Sequence, residues 1–163
     1  MKLAQALLDQ GFAITDAAKA DFDAYYTISR ECYEIYVDEY FGGWNEQVQI
    51  EMNSNHFSKK FAQTTFKKLL LHGEAVGFYA FDELEDKIDG ISIQMTQKAR
   101  GKGVGHCYLT HITTIANRDA KPIYLQVFKS NPAQNLYKRH GFVVYGESVS
   151  HYLMKYDPQT VFA

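Results

Sequence analysis

The sequence predicts a mixed α/β fold, in which a sheet of about six or seven strands is flanked by helices. The predicted elements follow one another as helices, a strand hairpin, a strand–loop–helix unit, a strand–helix unit and a closing strand pair. The chain has 163 residues, 46% of them hydrophobic and 22% charged. This length and composition are typical of one globular domain, which we expect to span residues 1–163.

The N-terminal part of the chain is predicted to be mainly helical. Residues 1–10 have the pattern of a short helix that Gly11 ends, and residues 12–15 that of a first strand. A long helix is expected over residues 20–40, because apolar and aromatic side chains recur there at helical spacing. Asp16 is predicted to cap the N-terminus of that helix.

A second helix is expected directly after the long one. Gly42 and Gly43 interrupt the helical pattern, and Asn45 is a suitable N-cap for the next helix. The residues that follow this helix, 53–62, are mostly polar and are predicted to form a loop.

The middle of the chain is predicted to form strands. Residues 64–71 and 75–81 have the pattern of a hairpin whose turn covers residues 72–74. Residues 88–96 form the next strand, with apolar side chains on one face and polar side chains on the other.

The last third of the chain is predicted to alternate between helices and strands. In order, we expect a helix over residues 104–117, a strand over 123–127, a helix over 131–141 and an antiparallel pair over 142–149 and 150–156. Asn131 is a good N-cap for the second of these helices, because a proline follows it at the favoured first helical position.

Composition and charge argue against several classes of protein. The formal net charge is −2 and the isoelectric point about 6.3, whereas a general nucleic-acid binder usually carries a basic excess. Cys32 and Cys107 lack the spacing of a metal site and are too few for a disulfide framework. There is no signal-peptide pattern and no long apolar stretch. We therefore expect a cytoplasmic protein, monomeric or homodimeric, that binds no metal, nucleic acid or membrane.

Residues 100–105 read Arg-Gly-Lys-Gly-Val-Gly and lie between a predicted strand and a predicted helix. Glycines remove Cβ atoms from such a turn, so that backbone N–H groups can approach an anion at the positive end of the helix. The pattern predicts a loop that binds phosphate or pyrophosphate, or else a tight turn without a ligand. A Walker loop would need Ser or Thr in place of Gly103, and the dinucleotide fingerprint would need glycine in place of His106.

The pattern that does fit is Arg-x-x-Gly-x-Gly, which resembles the acetyl-CoA pyrophosphate loop of the GNAT N-acetyltransferase family. A second block, about thirty residues further on, is similar to another motif of that family. Its matching residues are Asn131, Ala133, Tyr137, Gly141 and Phe142. The resemblance covers residues 12–156 and implies the GNAT fold, with a mostly antiparallel sheet, about four flanking helices and, here, an additional short N-terminal helix.

The resemblance implies an acetyl-CoA-dependent N-acetyltransferase that acts on a primary amine of a small molecule or peptide, by direct attack in a ternary complex. It also implies cofactor contacts from the strand end, the glycine loop and the cap of the later helix. These residues are Met95, Thr96, Gln97, Arg100, Gly101, Lys102, Gly103, Val104, Gly105, His106 and Asn131. The alternative for His106 is that it occupies the first helical turn without contacting the cofactor. The alternative for Asn131 is that it only caps the helix.

Tyr137 is the candidate catalytic residue. A phenol titrates near ~10 and a thiol near ~8.5, so that at neutral pH the phenol can protonate a departing thiolate. By resemblance Tyr137 points at the cofactor sulfur. The alternative is a core aromatic residue, since the chain has 12 tyrosines.

The general base is the open question. Many members of the family carry a glutamate on the strand before the loop, but this chain has no carboxylate between Gly90 and Arg100. Either water relays the proton to a more distant base, or the substrate amine is not strongly basic. The candidate bases are Glu51, His56, Glu147 and His151. Trp44 either lines the acceptor cleft or packs between helices. Alternative functions are an acyl-CoA sensor without turnover and an enzyme for another donor such as succinyl-CoA.

Overall fold

The computed structural model describes residues 1–159. Five α-helices are present in this range: α1 (Gln5–Asp9), α2 (Phe22–Phe41), α3 (Glu46–Lys60), α4 (Val104–Asp119) and α5 (Ala133–Arg139). Seven strands are β1 (Phe12–Asp16), β2 (Thr65–Leu71), β3 (Glu74–Glu83), β4 (Ile88–Met95), β5 (Ile123–Phe128), β6 (Val143–Glu147) and β7 (His151–Tyr156). The predicted mixed α/β class and the order of its elements are confirmed.

The strands form one sheet in the order β1-β2-β3-β4-β5-β7-β6. Within residues 1–159, β4 and β5 are the one parallel pair of neighbours, and every other neighbouring pair is antiparallel. The parallel pair is possible because α4 supplies the long crossover connection that parallel strands need. The sheet is therefore mostly antiparallel, as predicted.

A gap divides the sheet between β4 and β5. The two strands are in register only at Ile88 and Ile123, where the Ile88 N–H also donates to the Pro122 carbonyl at 2.9 Å. Beyond that point they separate, so that the facing backbone groups of the later residues are not used by a strand ladder. The separation opens towards Met95 and Phe128, the residues at which the two strands end.

Helices cover both faces of the sheet. Tyr108 and Ile112 of α4 are fully buried against Ile123 and Leu125 of β5 on one face. On the other face, residues of α2 and α3 pack on β2 and β3, and their buried aromatic side chains are Tyr25, Phe57, Phe66 and Phe78. None of the helices within residues 1–159 combines the length and apolar character needed to cross a membrane.

Two predictions about the N-terminal half are wrong. Asp16 does not cap the long helix, because β1 extends through it and its side chain pairs with Lys67 of β2. A turn of 3-10 helix intervenes, and Asp21 accepts a hydrogen bond from the Ala18 N–H at 2.7 Å instead. Most of residues 53–62 is not a loop, since α3 continues to Lys60.

The continuation of α3 has a tertiary cause. Asn53 and Phe57 are buried against α2, while the polar side chains between them face solvent. The Ser29 hydroxyl of α2 donates to the Asn53 Oδ1 at 2.7 Å, and the Asn53 amide donates to the Gln49 carbonyl at 2.8 Å. The buried Phe57 ring and the polar bridge from Asn53 thus hold this part of α3 against α2.

We expect Ser29→Ala to lower the free energy of unfolding by about 1–3 kcal/mol, because it leaves the buried Asn53 Oδ1 without its donor. Urea denaturation followed by circular dichroism measures the change. Ser54→Ala, at an exposed position of the same helix pair, is the control and should change stability by less than ~0.5 kcal/mol. Equal stability of both variants would show that the bridge contributes nothing.

Candidate active site

A cleft of about 660 Å³ lies where β4 ends, between the glycine loop and the last turn of α5. Its wall combines residues from β4, the loop, α4 and α5. They are Met95, Ala99, Arg100, Gly101, Gly103, Val104, Gly105, His106, Leu136, Arg139 and His140. The structure therefore brings together most of the predicted loop residues with a set from α5 that the sequence pattern had not indicated.

The backbone of the glycine loop is open towards this cleft. Gly101 and Gly103 have φ values of +70° and +102°, which side chains disfavour, and a Cβ atom on either would meet no atom within 4 Å. Gly103 precedes the first residue of α4, and no side chain caps this helix. The N–H groups at the start of α4 therefore remain for an external acceptor, at the positive end of the helix dipole.

Gly105 has a different role. A Cβ atom at this position would lie 2.8 Å from the Leu136 Cδ2 of α5, so it would displace this methyl group. The third glycine of the motif thus leaves room for the Leu136 side chain, whereas the first two shape the loop.

The charge of the cleft is positive. Arg100, His106, Arg139 and His140 line it, and no lining residue is acidic. Lys102 lies in the loop as an exposed side chain but does not form part of the wall. Such a set of groups favours an anion with several oxygen atoms over a cation or a neutral ligand.

The Arg100 side chain folds back onto the end of β4. Its Nε donates to the Met95 carbonyl at 2.8 Å, and its guanidinium lies 3.4 Å from the Sγ of Cys32 on α2. The Cys32 thiol donates to the same carbonyl at 3.2 Å. Burial raises the pKa of Cys32, while the neighbouring Arg100 lowers it, and the net direction is upwards. The two side chains hold the end of β4 against α2.

The orientation of the peptide groups at the end of β4 follows from the ladder with β3. The Thr96 N–H donates to the Val76 carbonyl at 2.8 Å, so it faces β3. Because successive N–H groups of a strand point to opposite sides, the Met95 N–H faces the gap towards β5. A donor therefore lies in the gap at the strand end, where the resemblance had placed it.

Thr96 and Gln97 lie on the other side of the loop. The Gln97 N–H donates to the Glu31 carboxylate at 2.9 Å, and both residues line a separate depression beside α2. Their N–H groups are used within the chain. A cofactor contact from either residue stays a prediction that this geometry does not favour.

Asn131 and Tyr137 lie on α5 and the turn before it. The Asn131 Oδ1 accepts the Ala133 N–H at 2.9 Å, so this residue caps the helix, which begins at Ala133. The partly buried Tyr137 packs its ring on Phe142 at a centroid distance of 5.9 Å. Neither residue lines the cleft at the glycine loop.

A second tyrosine approaches Tyr137 from α2. Burial raises the pKa of Tyr137 to about 12, and no hydrogen bond within residues 1–159 contributes to this shift. Burial also raises the pKa of Tyr33 well above its ordinary value, and the proximity of Cys32 and Tyr137 raises it further. Both phenols are therefore protonated at neutral pH, and the Tyr137 hydroxyl has no hydrogen-bond partner among residues 1–159.

Of the four candidate bases, His151 is the one that contacts Phe128, the residue at which β5 ends, although it lies on β7, on the side of β5 away from the gap. It pairs across the sheet with Phe128, and the two rings lie 4.1 Å apart. The Ser150 hydroxyl is 2.7 Å from the His151 Nδ1. Burial lowers the pKa of His151, so that the imidazole is neutral at pH 7 and can accept a proton.

The other three candidate bases lie elsewhere. Glu51 and His56 are exposed on α3, and Glu147 forms an ion pair with Lys129 at 2.6 Å. Trp44 packs against α2, where its indole N–H donates to the Tyr26 hydroxyl at 3.3 Å. The packing alternative for Trp44 thus agrees with the structure.

Four residues of the cleft wall were missed by sequence reasoning: Ala99, Leu136, Arg139 and His140. The sequence offered one signal for Arg139 and His140, which form a basic pair directly before the glycine that ends α5. Its meaning depends on the packing of α5 against α4, which no local pattern reports.

Solved structures share this fold at low sequence identity. The PaiA N-acetyltransferase of Thermoplasma acidophilum, in complex with coenzyme A, has a TM-score of 0.70 and 16% identity, over 90% of this chain and 98% of its own. The ribosomal-protein-S18-alanine N-acetyltransferase of Escherichia coli has a TM-score of 0.65 and 17% identity, over 92% and 96%. The yncA protein of Salmonella typhimurium, with its cofactor acetyl-CoA, has a TM-score of 0.61 and 18% identity, over 94% and 97%.

At these identities the likeness establishes the fold alone. No curated protein sequence matches the chain significantly. The profile of the acetyltransferase (GNAT) family, however, matches residues 29–142, which is more than half of the chain and includes the glycine loop and all of α5. The chain therefore belongs to the GNAT family of acetyltransferases.

Proposed function

We propose that this protein is an acetyl-CoA-dependent N-acetyltransferase, which acetylates a primary amine of a small molecule or peptide by direct attack in a ternary complex. Family membership supports acetyl transfer, and two structures with the same fold contain coenzyme A or acetyl-CoA. The observation that carries the proposal is the open, basic glycine loop at the N-terminus of α4, directly beside the gap between β4 and β5.

The residues of the cleft fit coenzyme A. Gly101 and Gly103 leave open the space that a Cβ atom would fill, and the first N–H groups of α4 together with the basic wall suit a diphosphate. The gap suits an extended amide-containing arm, because unpaired strand edges bind such chains as an added strand. When bound, acetyl-CoA supplies the acetyl group in activated form, as a thioester.

Three groups of this chain have chemical roles in the proposal. The Met95 N–H, which faces the gap, donates to the carbonyl oxygen on which negative charge develops. Tyr137 holds a proton at its hydroxyl for the departing thiolate. His151, neutral at pH 7, accepts a proton from the attacking amine, directly or through water.

Binding and turnover test this proposal separately. We expect calorimetry to detect coenzyme A binding, and thiol release from acetyl-CoA to depend on an added amine from a panel of small amines and peptides. Absence of coenzyme A binding would refute the proposal. Succinyl-CoA in the same assay tests the acyl group.

A second candidate function is an acyl-CoA sensor without turnover. It is favoured by β4, which carries Ser92 and Gln94 where many members of the family have a carboxylate, and Gln94 is buried with its amide bonded to the Tyr25 carbonyl. Tight binding of acetyl-CoA with no thiol release on any amine would support this alternative.

The role of His151 predicts a pH dependence. The base form is required, so kcat/KM should fall as the pH decreases through the pKa of His151, which lies below the ordinary imidazole value of ~6.5. His151→Gln should lower kcat/KM about a hundredfold and remove this acidic limb of the profile.

His56→Gln is the matched control. Burial, with smaller effects of Lys60 and Lys59, also lowers the pKa of His56, but this residue lies on α3 away from the gap. The control should keep both the rate and the pH profile of the wild type. If His151→Gln behaves like the control, a base other than His151 accepts the proton.

A further inference from the structure

Two histidines from different helices meet at the edge of the basic cleft. His106 belongs to the first turn of α4, and His140 directly follows α5. Their facing nitrogens, the His106 Nδ1 and the His140 Nε2, are 3.0 Å apart, and the ring centroids are 4.9 Å apart. Both residues line the cleft beside the glycine loop.

The hydrogen bonds of the pair determine its protons. The His140 Nδ1 lies 3.0 Å from the Leu136 carbonyl, which can only accept, so this nitrogen carries a hydrogen. In a neutral pair the His140 Nε2 is then an acceptor, and the His106 Nδ1 donates to it. The outer nitrogen of His106, Nε2, consequently presents a lone pair.

One added proton reverses this arrangement. A protonated His140 donates from its Nε2 to the His106 Nδ1, and the hydrogen of His106 moves to its outer Nε2. This nitrogen has no hydrogen-bond partner in the part of the chain that the structure describes. The neutral pair therefore presents an acceptor, which repels phosphate oxygens, and the singly protonated pair presents a donor with a positive charge.

The other charged side chains of the cleft wall are basic. Arg100 of the loop and Arg139 of α5 line the cleft together with the pair, Lys102 is exposed in the loop outside the wall, and no wall residue is acidic. From this geometry we propose that His106 and His140 form a proton-linked clasp, which takes up a proton when the phosphate groups of coenzyme A enter the cleft. The proposal rests on the proposed function, because coenzyme A is its ligand.

Calorimetry in two buffers with different protonation enthalpies tests the clasp. At about pH 7 the binding of coenzyme A to the wild type should take up a measurable fraction of a proton, and affinity should fall as the pH rises from about 6 to about 8, by at most about tenfold per pH unit. Dephospho-coenzyme A repeats the titration without the phosphate monoester, whose own ionisation would otherwise contribute.

His140→Gln and His106→Gln should each abolish this uptake and flatten the dependence of Kd on pH. His111→Gln, on the same helix as His106 but packed against Phe81, is the control and should retain both. Coenzyme A binding with equal proton uptake by the wild type and both cleft variants would overturn the clasp and leave the proposed function intact. Absence of coenzyme A binding by the wild type would overturn both.

Discussion

Tyr137→Phe should lower turnover about a hundredfold or more, which is the usual contribution of a general acid, and leave the affinity for coenzyme A unchanged. The Tyr137 phenol stays protonated at neutral pH, since burial raises its pKa to about 12. The substitution removes the proton donor but not the ring, which packs on Phe142. Thiol release from acetyl-CoA measures turnover, and calorimetry measures affinity.

Tyr156→Phe separates this effect from a general loss of stability. The Tyr156 hydroxyl donates to the Asn117 Oδ1 at 2.9 Å, and the residue is buried in the same core cluster. This control should lower the free energy of unfolding by about 1 kcal/mol and keep full turnover. If Tyr137→Phe instead keeps the wild-type rate across the pH range, Tyr137 is a packing residue.

Gly103→Val should weaken coenzyme A binding about a hundredfold, which corresponds to about 2.7 kcal/mol. The open space beside Gly103 is the space that the diphosphate would occupy, and a valine side chain would fill it. Calorimetric titration with coenzyme A measures the loss. The substitution also strains the backbone, because φ at this position is +102°.

Gly73→Val reproduces the strain without the obstruction. Gly73 lies in the turn between β2 and β3, has a φ of +82°, and likewise has no atom within 4 Å of its Cβ position. Both variants should lose similar stability, but only Gly103→Val should lose affinity. Equal affinities of the two variants would contradict the assignment of the loop to the diphosphate.

The Arg100 side chain connects the glycine loop with the gap between β4 and β5. Arg100 begins the loop yet donates to the carbonyl of Met95, the last residue of β4. Because Met95 also directs its N–H into the gap, the side chain at the start of the proposed anion-binding loop holds the strand end whose N–H is proposed to meet the reacting carbonyl. A substitution of Arg100 would therefore disturb both regions, whereas those of Gly103 and Tyr137 separate them.

The sequence by itself determined the features that depend on neighbouring residues. The positive φ values of Gly101 and Gly103, the cap at Asn45 and the cap at Asn131 each follow from one residue type in its local context. The alternation of apolar and polar residues and the order of the strands indicated the sheet, and two sequence motifs indicated the family.

Only the tertiary structure decided which distant residues meet. The polar stretch around Asn53 is helical because Ser29, 24 positions earlier, supplies a buried donor. His106 and His140 are 34 positions apart and face one another because α4 and α5 line the same cleft. Local patterns report backbone preference and periodicity, whereas such contacts depend on how whole elements pack. The cleft wall on α5 and the positions of the candidate bases could therefore be read only from the fold.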